Sequence, residues 1–242
     1  MSYSSFAYAY DALTFNVEYE KRADYVTELL RKNGCSDGIL LDLACGTGAL
    51  SKLIADKGYD MILVDSSPEM LYYARERLPE ALILCQDMTE LDLFGTIKGA
   101  VCSLDSINHL LKPIDVKKTF GAVSLFTEKG GVFVFDVNTP YKHEHILGNN
   151  TFVYEKDDIY LVWQNSFRKK SCKVDINLDI FTKQSDSYSR NSESFSERAY
   201  EIEDICKWLE EVGFSVTGIY DDMTFDSPKE NTQRVYISAV KL

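Results

Sequence analysis

From residue 18 to residue 137 the apolar positions follow two alternating rhythms. Over 18–32 they recur three and four apart, with Ala23, Val26, Leu29 and Leu30 on one helical face, and Asn33-Gly34 closes the segment. Short apolar runs then alternate with helical patterns. Strands are expected at 39–43, 61–64, 81–85, 100–104 and 132–137, and helices at 47–57, 68–78 and 114–127. Runs that are apolar at nearly every position mark strands covered on both faces, so the pattern predicts an α/β fold with a parallel, doubly wound sheet. Right-handed crossovers then place the ligand-facing loops along one sheet edge.

Beyond Pro140 the period drops to two. Val174, Ile176, Leu178 and Ile180 alternate with Asp175, Asn177 and Asp179, which predicts antiparallel sheet with one wet face over 151–200. Turn signals at Lys156-Asp157-Asp158, 168–171 and 184–187 cut this stretch into about four strands. We read 141–200 as an antiparallel β insertion, either a substrate cap or a dimer contact, in a domain built from 1–140 and 201–242. The first rhythm returns as a helix at 201–212, stopped by Gly213, and two strands at 214–220 and 234–241 joined by a polar loop. With no helix between them these strands must pair antiparallel, closing a mainly parallel sheet of seven strands with a C-terminal hairpin.

A chain of 242 residues suits one such domain with room for the insertion. The 26 basic and 38 acidic residues leave a net charge of −12, and Arg168-Lys169-Lys170 is the one basic block that stands out. That balance disfavours a phosphate backbone as partner. Six cysteines show no C-x-x-C pairing and several fall within apolar strands, as expected of reduced core residues in a cytoplasmic protein. The first twenty residues lack a basic start and a long apolar run, and no apolar stretch nears the ~20 residues of a membrane span.

The chemistry concentrates in Leu40-Leu41-Asp42-Leu43-Ala44-Cys45-Gly46-Thr47-Gly48-Ala49-Leu50, an apolar strand breaking into a glycine turn before a helix. Such a turn lets a ligand approach the main chain beside unpaired helical N–H groups. A dinucleotide turn, G-x-G-x-x-G, would need a third glycine or alanine where Ser51 stands. The segment resembles more closely the S-adenosylmethionine (SAM) turn of class I methyltransferases, an acidic residue followed by x-G-x-G-x-G, with Ala44 in place of the first glycine. The closing hairpin belongs to that fold and not to the dinucleotide fold.

The resemblance implies roles for further positions. Asp42, Ala44, Gly46 and Gly48 would form the cofactor turn. Asp65, nineteen residues after Gly46, would take the ribose hydroxyls with Ser66 beside it. Met70 would lie against the adenine, Asp87 would accept from its amino group, and the backbone of Met88 would meet the ring. Leu104, at the end of the fourth strand, would face the transferable methyl. The N-terminal Phe6-Ala7-Tyr8-Ala9-Tyr10-Asp11 is similar to that of a bacterial group in this family, which implies that Tyr3 and Tyr10 fold over the cofactor as a lid.

Methyl transfer from a sulfonium needs alignment and exclusion of water more than a protein nucleophile. A protic acceptor must still lose its proton, and His109 is the candidate base. Asp105, Asn108, Trp163, Arg198, Tyr200 and Arg234 are the candidate acceptor-binding residues, the arginines for a carboxylate or phosphate and the aromatics as walls. His143 and His145 face apart at i and i+2 and do not make a metal pair, so no metal is expected. The expected function is SAM-dependent methylation of a small molecule at nitrogen or oxygen, releasing S-adenosylhomocysteine (SAH), by a monomer or homodimer. RNA or protein methylation, a non-catalytic SAM-binding module and an NAD-dependent dehydrogenase are the alternatives.

Overall fold

A computed structural model describes residues 17–242, so Tyr3 and Tyr10 lie outside the described residues. Helix α1 (Tyr19–Lys32) precedes β1 (Gly38–Leu43), α2 (Ala49–Ala55), β2 (Tyr59–Asp65), α3 (Pro68–Arg77), β3 (Leu82–Cys85), β4 (Ile97–Cys102), α4 (Pro113–Phe126) and β5 (Thr127–Asn138). Strands β6 (Thr151–Lys156), β7 (Ile159–Arg168), β8 (Lys173–Gln184) and β9 (Ser187–Arg198) follow, then α5 (Ile202–Glu211), β10 (Phe214–Asp221) and β11 (Arg234–Lys241).

The large sheet has seven strands in the order β3-β2-β1-β4-β5-β11-β10, and β11 runs antiparallel to both its neighbours. Strand β5 shows why the apolar runs were continuous. Phe133 and Phe135 enter a core with α4 and α5, including Phe120, Trp208 and Phe214, while Val132 and Val134 enter a second core containing Val26, Leu29 and Ile54 of α1 and α2. Successive side chains point to opposite faces, and both faces are covered. The rings of Phe133 and Phe135 lie 4.8 Å apart, and each fully buried phenylalanine contributes about 1.5–3 kcal/mol of hydrophobic stabilisation.

Strands β6 to β9 form a separate four-stranded antiparallel meander. Its turns use left-handed residues at Asp157, Cys172 and Ser185, within or beside the polar clusters that signalled them. Val174, Ile176, Leu178 and Ile180 form the buried face, and they pack with Met70 of α3 and with Leu147. Among the boundaries that shift, β5 begins at Thr127, five residues ahead of the expected 132, and the fourth strand ends at Cys102 rather than 104, where Leu104 and Asp105 take φ 59° and 53°. Among the described residues, no helix is long and apolar enough to cross a membrane.

Candidate active site

The β1–α2 turn places residues 44, 46 and 48 all in left-handed conformation, at φ 62°, 56° and 73°. Glycine adopts that conformation freely, whereas Ala44 holds it against a steric cost of roughly 1–2 kcal/mol. A Cβ on Gly46 would project into open space beside the cavity, the backbone approach that a ligand requires. Gly48 serves packing instead, since a Cβ there would sit 3.2 Å from the backbone of Ala74 in α3. The turn is held by Asp65, whose Oδ2 accepts from the Gly46 N–H at 2.9 Å and whose Oδ1 accepts from the Ser67 N–H at 2.9 Å. Burial raises the Asp65 carboxyl above its ordinary value, although backbone donors oppose the rise.

Asp42 lies behind the turn, outside the cavity lining and fully enclosed. Ser51 Oγ donates to its Oδ2 at 2.5 Å, tying α2 to β1. Burial pushes the Asp42 carboxyl up to about 7, against the Ser51 hydrogen bond and with help from the negative charge of Asp65.

A cavity of about 540 Å³ opens from this turn and runs past Asp65, Met88 and Leu104 to Asp105, His109 and Trp163. Asp87 lines it while its Oδ1 accepts from the Thr89 N–H and hydroxyl, both at 2.8 Å, and Ser66 and Met70 line it too. The Ser103 hydroxyl is buried on this wall with no hydrogen-bond partner among the described residues.

At the far end the strand-four loop is pinned by Asp136 on β5, fully buried, whose two oxygens accept from the N–H groups of Leu104 and Asp105 at 2.8 Å each. That double contact is what holds two successive non-glycine residues left-handed. Arg234 bridges Asp136 and Asp105, reaching the latter at 2.6 Å. Asn138 Nδ2 donates to the other Asp105 oxygen at 3.0 Å and to Glu197 at 3.2 Å, and its Oδ1 accepts from Lys142 at 2.8 Å. Burial works against the Asp105 charge, but Arg234, Lys142 and His109 outweigh it and hold the carboxyl well below the usual range. Lys142 is lowered, mainly by burial and then by Arg234.

Of the acceptor candidates, Asp105, His109, Trp163 and Arg234 line the cavity, but the Arg234 guanidinium is occupied by internal carboxylates rather than open to an acceptor. Asn108, Arg198 and Tyr200 do not line it. Asn108 is fully buried and bonds the carbonyls of Asn138 and Arg198, while Arg198 and Tyr200 bond the carbonyls of Leu111 and Leu110. These three fasten the end of β9 to the loop before α4. The residue turned inward is Glu197, opposite Val174 on the buried face of β8. Alternation in a strand makes the difference between Glu197 and Arg198 a complete change of side, and matching β9 to the apolar face of β8 was the signal that identifies it. Arg22, Tyr19, Lys142, Asn138 and Phe195 also line the cavity without having been singled out for it. Asp105, His109 and Glu197 bring one ligand-type atom each within 4.8 Å of one another. Such a donor set can take a divalent ion, but both Asp105 oxygens already have partners.

Residues 40–131 match a family described as a methyltransferase domain. The chain is 32% identical to one named as a methyltransferase in Geobacillus sp. (strain WCH70), over all of both chains. It is 33% identical to the crystal structure of a S-adenosylmethionine-dependent methyltransferase from Clostridium acetobutylicum ATCC 824, with a TM-score of 0.90 over 99% of this chain and 98% of that one. A dTDP-3-amino-3,6-dideoxy-alpha-D-glucopyranose N,N-dimethyltransferase of Streptomyces fradiae is 32% identical over 38% of this chain and 36% of its own length.

Proposed function

The chain belongs to the class I SAM-dependent methyltransferases, and from that premise we propose that it methylates a nitrogen or oxygen of a small molecule and releases SAH. One observation carries this reading: a single cavity joins the Gly46 turn to the cluster of Asp105, His109 and Glu197 under walls supplied by the insertion. SAM supplies an electrophilic methyl on a sulfonium. We assign Asp65 to its ribose, Asp87 and Met88 to its adenine, and the Gly46 backbone and Ala44 carbonyl to its amino-acid end. Leu104, pinned by Asp136, would bring the methyl towards the acceptor.

Leu161, Trp163, Leu178 and Phe195 of the insertion line the far part of the cavity, and we assign them to limiting acceptor size and shielding the reacting atoms from water. We therefore assign the insertion the role of a substrate cap. The relative acting on an amino sugar favours nitrogen as the target. A protic acceptor must lose its proton, and the geometry offers His109 and Glu197 for it.

The test is transfer of labelled methyl from SAM into a cell extract separated into small molecules, RNA and protein, with SAH as competitor. SAH-sensitive label in the small-molecule fraction is expected. Label in RNA or protein would refute a small-molecule acceptor, and SAH binding without transfer to any fraction would mark a binding module.

A further inference from the structure

Any N–H or O–H acceptor that gains a methyl must shed a proton, and the side chains at the acceptor end are not equally placed to receive it. Asp105 has Oδ1 on Arg234 and Oδ2 on Asn138. Glu197 is 4% exposed and lines the cavity; its Oε2 accepts from Asn138 Nδ2 at 3.2 Å, while its Oε1 has no hydrogen-bond partner among the described residues. Behind it stands His143, fully buried, with Nδ1 3.3 Å from the carbonyl of Cys172 and Nε2 3.4 Å from Glu197 Oε2. A carbonyl can only accept, so the contact with Cys172 puts the ring proton on Nδ1, and Nε2 packs against the glutamate without a hydrogen bond among the described residues. His109 lies across the cluster, its ring 5.2 Å from that of Phe195. Atoms mutually within 4.8 Å can share a centre about 2.8 Å from each, the length of a hydrogen bond from one nitrogen or oxygen.

We propose that Glu197, which lines the cavity within reach of Asp105 and His109, takes the acceptor's proton. The proposal rests on the reading of the chain as a methyltransferase for nitrogen or oxygen. The acceptor's lone pair forms the bond to the methyl carbon as the carbon–sulfur bond breaks, and sulfur keeps that electron pair as a neutral thioether. The positive charge passes to the acceptor atom, whose proton moves to Glu197 Oε1. Glu197 then loses this proton to water when product leaves. The insertion thus contributes a catalytic residue as well as a wall.

The experiment measures methyl transfer at saturating small-molecule extract for the wild-type chain and variants, with SAH affinity by calorimetry on the same preparations. Glu197→Gln is expected to lower the saturating rate about 10²–10⁴-fold with SAH affinity unchanged. Added acetate should restore rate to Glu197→Ala, and more effectively than the less basic formate. Glu197→Gln within threefold of wild type, or folded, SAH-binding Glu197→Ala that acetate does not rescue, would overturn the assignment. So would loss of wild-type transfer in EDTA, which would give the cluster to a metal. No transfer by the wild-type chain would instead overturn the methyltransferase-substrate reading beneath it.

Discussion

Replacing Asp42 by Asn should make the protein more stable at pH 8 than the native chain, relative to the same comparison at pH 4. An ordinary aspartate titrates near 3.8, whereas burial places Asp42 at about 7. Between those values the folded chain binds a proton that the unfolded chain has released, so stability falls as pH rises through this window and the loss is complete above the folded value. At ~1.4 kcal/mol per pH unit, the ionised Asp42 costs the fold about 4 kcal/mol at pH 8, an order-of-magnitude figure. Asparagine keeps an oxygen for the Ser51 hydroxyl and carries no charge to desolvate. Any effect of its shape is the same at every pH and cancels in the comparison. Asp105 acts in the opposite sense: its depressed carboxyl contributes stability that is lost as pH falls, and it is present in both chains. Urea unfolding of the two proteins at pH 4, 5, 6, 7 and 8 measures the difference directly. A variant-minus-native stability that stays flat across that range would refute the account of Asp42 as a buried, reluctantly ionised carboxyl.

Three further substitutions probe the rest of the site. Ala44→Gly should stabilise the chain by about 1 kcal/mol, the relief of left-handed strain less the added flexibility of glycine, and raise the Tm by roughly 2–4 °C in a thermal scan; a lowered Tm would show that the Ala44 methyl is packed usefully. Asp65→Ala should weaken SAH binding by roughly 1–3 kcal/mol in calorimetry, because a charge-assisted acceptor and the anchor of the Gly46 N–H disappear together, and unchanged affinity would contradict the ribose assignment. Arg234→Met should cost about 3–5 kcal/mol in denaturant unfolding, since it strands Asp136 and Asp105 without their shared cation; a loss under 1 kcal/mol would mean the carboxylates find other partners.

Local signals were legible in the sequence because their partners are close along the chain or follow a fixed period. The Ser67 cap of α3 and the turn residues of the insertion arise within a few positions. The five parallel strands and the final hairpin follow from runs and breaks of apolar residues. The acceptor end was harder to read, because its contacts join residues from distant segments: Arg234 meets Asp136 across 98 positions and Asp105 across 129, and Asn138 meets Glu197 across 59. Single-residue chemistry also misdirects there. Arg198 is chemically suited to grip an anion, yet strand parity turns it to the seam and its neighbour Glu197 to the cavity.

The same parity argument explains how an inserted sheet can supply a precisely held carboxylate. Val174, Ile176 and Leu178 need a buried face, and they find it against Met70 and Leu147 rather than against a second sheet. Met70 also lines the cavity, so the packing that seats the insertion also shapes the wall beside the proposed adenine position. Once Val174 is committed to that core, cross-strand pairing fixes Glu197 on the same side. Asn138 then ties the glutamate to Asp105, linking β9 to the loop that leaves β4. Register, apolar burial and one bridging amide therefore constrain Glu197 from three directions, which is the preorganisation that proton removal during an in-line methyl transfer requires.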